Sequence, residues 1–195
     1  MSEGTVSPMR DTRGYLQPEE VKEIISHGRT FRDQVMMRVL WATGCRVTEM
    51  LMLTMADILW KEKTFIMWTL KRKQKNIVQR RVLVDAATLE ILKNYCESVG
   101  IKKGRIFNLT SRRVEQIVYE AGKAAGISKV GTKKLHPHHF RHSHAVAWVR
   151  KNRTMEGLRK LQQRLGHTNI TTTAHYLQFA TGEQEAEVES VFGKW

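Results

Sequence analysis

The sequence predicts a mainly α domain with one small antiparallel β-sheet, the α+β class. Apolar residues recur at helical spacing along most of the chain, two stretches of β-formers stand close together near its middle, and Gly, Pro and capping residues fall at the ends of the helical runs. A chain of 195 residues is long enough for one domain with a real core and short for two. Hydrophobic residues at 41% and charged residues at 27% favour a folded globule over a basic tail.

The first 14 residues are polar and read as a flexible lead-in, with order starting near Leu16. Pro18 suits a first helical position, Glu19 and Glu20 favour the positive helix end, and Gly28 stops the helix. Thr30 with Asp33 resembles a capping box before Phe31, Val35, Val39 and Leu40, a run that ends at Gly44. A short helix over about 47–53 follows. Residues 64–70 and 81–84 are the β-forming stretches, and the basic connector between them reads as the tip of a hairpin. Helices resume after Asp85, an N-cap candidate, with Leu89, Leu92, Tyr95 and Cys96 on one face, and again after Ser111, with Val114, Ile117, Val118 and Ala121. Beyond a Gly/Lys loop, helices are expected over 137–151, 154–165, 171–179 and 183–192.

The charge is large and uneven. With 33 Lys+Arg against 19 Asp+Glu the formal net charge is +14, which points to a polyanionic partner, nucleic acid before an anionic membrane. From Ala121 to Met155 there is no acidic residue, while five of the eight histidines (His136, His138, His139, His142, His144) and bases including Lys133 and Lys134 fall there. The hairpin supplies Lys71, Arg72, Lys73, Lys75, Arg80 and Arg81. One such run is ordinarily a solvated face; two in a chain this basic point to phosphate binding. The tail, 181–195, is acidic and reads as a helix facing protein. No apolar run approaches the roughly 20 residues of a membrane span. The N-terminus lacks the apolar stretch of a secretory signal, and Cys45 and Cys96 form neither a metal spacing nor a disulfide framework. The expectation is a reduced, soluble, cytoplasmic protein.

Cleaving a phosphate ester without a metal needs cations on the non-bridging oxygens, a nucleophile, and a proton donor for the leaving alkoxide. Arginine suits the first task because its planar fork bonds two oxygens and stays charged. Arg46 stands in Ala-Thr-Gly-Cys-Arg-Val-Thr-Glu-Met, and Arg141 in Leu-His-Pro-His-His-Phe-Arg-His-Ser-His. His138 and Arg141 are three apart and share a helix face, with Pro137 placing His138 in the first turn. Then comes Arg-Leu-Gly-His, with His167 nine residues before Tyr176.

In these boxes the chain resembles the catalytic domain of the tyrosine recombinases, the family of phage integrases and Xer-type resolvases. The family pattern Thr-Gly-x-Arg-x-Ser-Glu-Leu matches Thr43 to Met50, His-x-x-Arg-His matches His138 to His142, and Leu-Gly-His followed by Tyr matches Leu165 to Tyr176. Each box alone is weak; three in order, with a basic hairpin between the first two, are specific. The resemblance implies the recombinase catalytic-domain fold over about 15–180 and roles for six residues. Arg46 and Arg141 would clamp the scissile phosphate with His138 and His167. Tyr176 would attack phosphorus to give a 3′-phosphotyrosyl link and a free 5′-hydroxyl, and a hairpin lysine would protonate that oxygen. No ATP, metal or other cofactor is implied, because the tyrosyl ester conserves the bond energy. Double-stranded DNA is the implied partner, with self-association on it from dimer to tetramer. A free tyrosine loses its proton near pH 10, and two arginines and a histidine beside Tyr176 are expected to favour its phenolate.

Some positions depart from the family. The usual Gly-Lys-Gly turn is missing; Lys71 is the first choice for the general acid by its distance from Arg46, and Lys73 the second. Lys73, Lys75, Arg72, Arg80, Arg81, Lys133 and Lys134 are the expected DNA-binding residues. Thr48 replaces the usual Ser, Phe140 a Leu, and His144 an aromatic residue. The family's N-terminal DNA-clamping domain has no counterpart before residue 15, from which weaker DNA binding is expected, and the tail is expected to dock on a neighbouring protomer or in cis.

Taken singly, these residues have plainer readings. Arg46 reads as an ion-pair partner of Glu49, Tyr176 as a half-buried tyrosine, His138 with His142 as half of a zinc site lacking its other ligands, and Trp41, Trp60, Trp68 and Trp148 as packing residues. Two other activities fit the same boxes: a DNA-binding regulator that kept the fold without catalysis, and type IB topoisomerase-like relaxation.

Overall fold

The computed structural model describes residues 14–71, 76–167 and 171–179. The lead-in up to residue 13, the hairpin tip with Arg72, Lys73 and Lys75, and the expected tail helix lie outside the described residues.

Helix α1 (Pro18–Ser26) begins at its proline, and the Glu20 carboxylate accepts from Gln17 N at 2.6 Å. In α2 (Phe31–Thr43) Thr30 Oγ1 accepts from Asp33 N at 3.2 Å, and the helix ends at Gly44 with φ of 62°. The short α3 (Val47–Met52) opens at Arg46, whose backbone N–H donates to Glu49 Oε2 at 2.9 Å. Asp85 caps α4 (Ala86–Ser98) by accepting from Thr88 N at 2.9 Å. The cap of α5 (Ser111–Ala124) is Thr110, one residue earlier than expected: two adjacent hydroxyls compete there, and it is Thr110 Oγ1 that reaches Arg113 N at 3.2 Å.

Strands β1 (Ile58–Leu59), β2 (Thr64–Lys71) and β3 (Asn76–Leu83) form an antiparallel sheet in that order, with register from Thr64↔Leu83 to Lys71↔Asn76. Phe65, Met67 and Val82 are buried, and Trp68 Nε1 donates to Asp57 Oδ1 at 2.7 Å, tying the hairpin to the turn before it. The Gly/Lys loop holds a second sheet, β4 (Lys129–Val130) paired with β5 (Lys133–Lys134), where one sheet was expected. Strands of two residues are too short to show alternation; buried Val130 and the backbone pairing hold this one.

Helices α6 (Pro137–Lys151) and α7 (Met155–Leu165) follow, the second capped by Thr154 and ended by Gly166 with φ of 68°. The expected helix over 171–179 divides into one α-turn, α8 (Thr171–Ala174), and a 3₁₀ turn (His175–Phe179). Two apolar clusters result. The larger packs α1, α2, α4, α5 and the sheet around Ile24, Met36, Leu40, Phe65, Leu92 and Phe107. The smaller joins α6, α7 and the 3₁₀ turn through Val149, Leu158, Leu161 and Leu165, with Tyr15 and Tyr176 at its edge. Phe140 of α6 belongs to the first cluster and Val149 of the same helix to the second, so α6 connects them. Among the described residues no helix is long and apolar enough to cross a membrane.

Gly44 has no room for a side chain: a Cβ there would lie 2.6 Å from His144 Cδ2 and 2.9 Å from Leu165 Cδ2, on backbone already left-handed. Gly44→Ala is expected to cost about 2–5 kcal/mol, from αL strain plus overpacking, measured as a shift in urea-unfolding midpoint with unchanged slope.

Candidate active site

Arg141 stands at the centre. Its side chain is 2% exposed, and its fork donates through Nη1 to the Gly44 carbonyl at 2.7 Å and through Nη2 to the Leu165 carbonyl at 2.8 Å. Gly44 lies two residues before Arg46 and Leu165 two before His167, so one guanidinium draws the first and third sequence boxes onto the second. Burial and the neighbouring Arg46 lower the Arg141 pKa to about 10, which leaves it charged at neutral pH.

Arg46 is partly exposed at the start of α3. Its Nη1 donates to Glu49 Oε1 at 3.0 Å, so the plain ion-pair reading is correct as geometry. The same residue bears electrostatically on Arg141, His138 and His167, so the pair and the cluster coexist. Glu49 is 3% exposed; burial opposes its charge, but bonds from Arg80, Arg46 and Thr69 overcome that and lower its pKa to about 2.

The two histidines of the site are held toward the neutral form. His138, exposed at the start of α6, is held below the usual imidazole range by partial burial, Arg141 and its neighbouring histidines. His167 is lowered to about 4, by burial first and then by Arg141, Arg46 and Arg80; its Nδ1 lies 3.0 Å from the hydroxyl of buried Thr173, which orients the ring. Tyr176 is 8% exposed, its ring centroid 5.1 Å from that of His142. Burial raises its pKa while Arg141 works the other way, so the phenol stays protonated, and the expected phenolate is not the resting form. Desolvation of the ring outweighs the one guanidinium that bears on it.

Of the remaining expected residues, Lys71 ends β2, its backbone paired with Asn76. Arg81 is exposed and pairs with Glu62 at 3.2 Å. Lys133 and Lys134 are exposed on β5, with Lys134 Nζ 3.8 Å from the Tyr119 ring centroid. A cleft of about 1130 Å³ beside them is lined by Lys129, Lys133 and by His136, His138, His139 and His142. Arg80, expected on the DNA face, turns inward onto Glu49, Thr69 and the Arg164 carbonyl. Cys45 is buried and its thiol pushed up to about 11, burial outweighing the cations nearby.

The sequence model of the phage integrase family matches residues 14–183. The chain belongs to that family. It is similar to the tyrosine recombinase XerC of Bacillus pumilus (31% identity over 191 residues, 87% of this chain and 59% of the relative) and to XerA of Pyrococcus horikoshii (26% over 183 residues, 89% and 60%). The fold is similar to a XerA crystal structure, with TM-score 0.73, 23% identity, and 100% of this chain and 68% of that one covered. A XerH recombinase in a post-cleavage complex with its difH substrate gives TM-score 0.75 at 20% identity, covering 95% of this chain and 55% of that one. The chain spans about 50–60% of the length of the curated relatives it matches.

Within this family fold, some supporting residues escape sequence reading. Thr173 and Thr69 carry no motif of their own, Arg80 reads in the sequence as a DNA contact, and only the tertiary contacts give the three their inward roles. The start of α6 is held by two imidazoles: His136 N donates to His139 Nδ1 at 3.1 Å, and His138 N donates to His136 Nδ1 at 3.3 Å. Both acceptors must be unprotonated, and a charge on either would oppose the helix dipole.

Burial holds His139 near 4 and His144 near 3, whereas an unfolded imidazole titrates near 6.5. Between those values the unfolded chain binds more protons, so acid favours unfolding. Melting temperature is expected to fall as pH drops from neutrality through this window. His139→Gln keeps an acceptor at the same helical position and is expected to give a shallower fall in a melting series against pH.

Proposed function

We propose that this chain is the cutting and rejoining part of a site-specific DNA recombinase. The observation that carries the reading is the Arg141 fork, which brings Arg46, His138, His167 and Tyr176 around one centre of positive charge. A phosphodiester entering there replaces water with fixed cations, which spread the charge of the five-coordinate transition state. Tyr176 Oη attacks phosphorus, its proton passing to a neutral imidazole of His138 or His167. The P–O5′ bond breaks, the 3′ end remains on the tyrosine, and the 5′-oxygen takes a proton from Lys71. A 5′-hydroxyl from a second strand reverses the sequence and leaves DNA rejoined, with no net change in ester bonds. An incoming phosphate need not find Tyr176 ionised, because the neutral histidines accept the proton as the bond forms.

Double-stranded DNA is the substrate class, with Lys133 meeting its backbone beside the site and copies of the chain assembling on it for exchange between duplexes. Supporting this, Lys129 and Lys133 line the cleft that His138 and His142 also line, and the relatives are named tyrosine recombinases.

Incubated with a pool of nicked duplexes of randomised sequence, the protein is expected to form a denaturant-resistant protein–DNA adduct with chelator present and ATP absent. Tyr176→Phe is expected to abolish the adduct, and Arg141→Lys, whose single ammonium cannot span both carbonyls, to slow it by about a hundredfold or more. Adduct from Tyr176→Phe refutes the nucleophile. Binding without adduct selects the regulator, and plasmid relaxation without joined partners selects topoisomerase action.

A further inference from the structure

Arg80 lies in the middle of β3, far in sequence from every box, and its side chain is 11% exposed. All three of its nitrogens are engaged. Nη2 donates to Glu49 Oε2 at 2.7 Å, Nη1 to Thr69 Oγ1 at 2.6 Å, and Nε to the Arg164 carbonyl at 2.8 Å. Thr69 in turn donates to Glu49 Oε1 at 2.7 Å, closing a ring of three side chains. Both Glu49 oxygens also accept from Arg46, one from its side chain and one from its backbone. Arg80 therefore touches the hairpin strand that leads to Lys71, the carboxylate that holds Arg46, and the last turn before His167.

A second observation concerns the loop bearing His167. A Cβ on Gly166 would lie 3.3 Å from Arg80 Nη1 and 3.4 Å from its Cζ, so the left-handed turn that presents His167 rests on the Arg80 guanidinium. A side chain there would press on the guanidinium and strain a backbone already left-handed.

We propose that Arg80 is a positioning residue of the active site, fixing Glu49 against Arg46 and flooring the His167 turn without contacting DNA. This rests on the recombinase reading. The charge count gives the reason. Glu49 alone would cancel Arg46, and a phosphate would then meet a neutral pair. With Arg80 on the second carboxylate oxygen, the trio of two guanidiniums and one carboxylate keeps one positive charge in excess, and Arg46 keeps N–H donors for the ligand. A lysine reaches Glu49 but cannot serve Thr69 and the Arg164 carbonyl as well.

The test compares wild type, Arg80→Gln and Arg80→Lys in melting temperature, affinity for the nicked-duplex pool at several salt concentrations, single-turnover adduct rate, and the NMR titration of His167 in DNA-free protein. Arg80→Gln is expected to slow adduct formation between roughly 10- and 100-fold on saturating DNA, with the salt slope unchanged because Arg80 itself touches no phosphate. The His167 midpoint is expected to rise as the cation beside it is lost, and Arg80→Lys to recover part of the rate. A salt slope reduced by about one, with an unchanged rate on saturating DNA, makes Arg80 a phosphate contact and overturns the proposal. So does an unchanged rate with an unmoved His167. If Arg80→Gln does not fold, Arg80→Lys carries the same comparisons. If wild type forms no adduct at all, the recombinase reading fails; the His167 titration then decides separately, and an unmoved midpoint sinks the positioning role.

Discussion

A guanidinium that is 2% exposed is costly unless its N–H groups find acceptors, and Arg141 finds two backbone carbonyls on segments more than a hundred residues apart in the chain. Burying Arg141 and assembling the site are one event. Neither carbonyl can move without stranding a buried donor, so the turn ahead of Arg46 and the turn ahead of His167 are held at a set separation. Side chains close both turns sterically: His144 and Leu165 fill the space over Gly44, and Arg80 fills it over Gly166. Preorganisation of this kind lets fixed donors act on a phosphate without reorganising at the moment of reaction.

Around Arg141 lies an excess of cations. Arg80 and Arg164 are largely withdrawn from solvent, and the carboxylate in direct contact with Arg46 and Arg80 is Glu49. Arg164 donates to the carbonyls of Leu83 and Ala42 and to His144 Nε2, which leaves the His144 Nδ1–H to bond the Trp41 carbonyl. The inward-facing arginines are thus satisfied by backbone oxygens, the Thr69 hydroxyl, a neutral imidazole and one acid. Net positive charge stored this way opposes folding, and a polyanion bound at the site relieves it. Burial first, and then the same excess of cations, holds His138 and His167 toward the neutral form.

Much of this was legible beforehand. Caps at Thr30 and Asp85, the glycine end at Gly44, and the start of α6 at Pro137 all follow local rules, and the structure obeys them. The pair β4–β5 was illegible because four residues carry no period. The division of 171–179 was illegible because an α-turn and a 3₁₀ turn share nearly the same apolar spacing. Tyr176 misled in its protonation: counting nearby cations ignored the packing of the ring against α6 and α7, which decides the sign.

Sequence alone determined which residue types stand at each chemical position, because spacing along a helix and the preferences of caps and glycine turns act over a few residues. It also determined the sign and clustering of the charge. The partner of each buried charge was decided only in three dimensions. Arg80 and Arg81 are adjacent and alike in sequence, yet successive residues of a strand point to opposite faces, so one is sealed against Glu49 and the other left in solvent with Glu62. Which of two like cations serves the protein and which serves its ligand depends on what packs against each face of the sheet, and that is a property of the assembled chain.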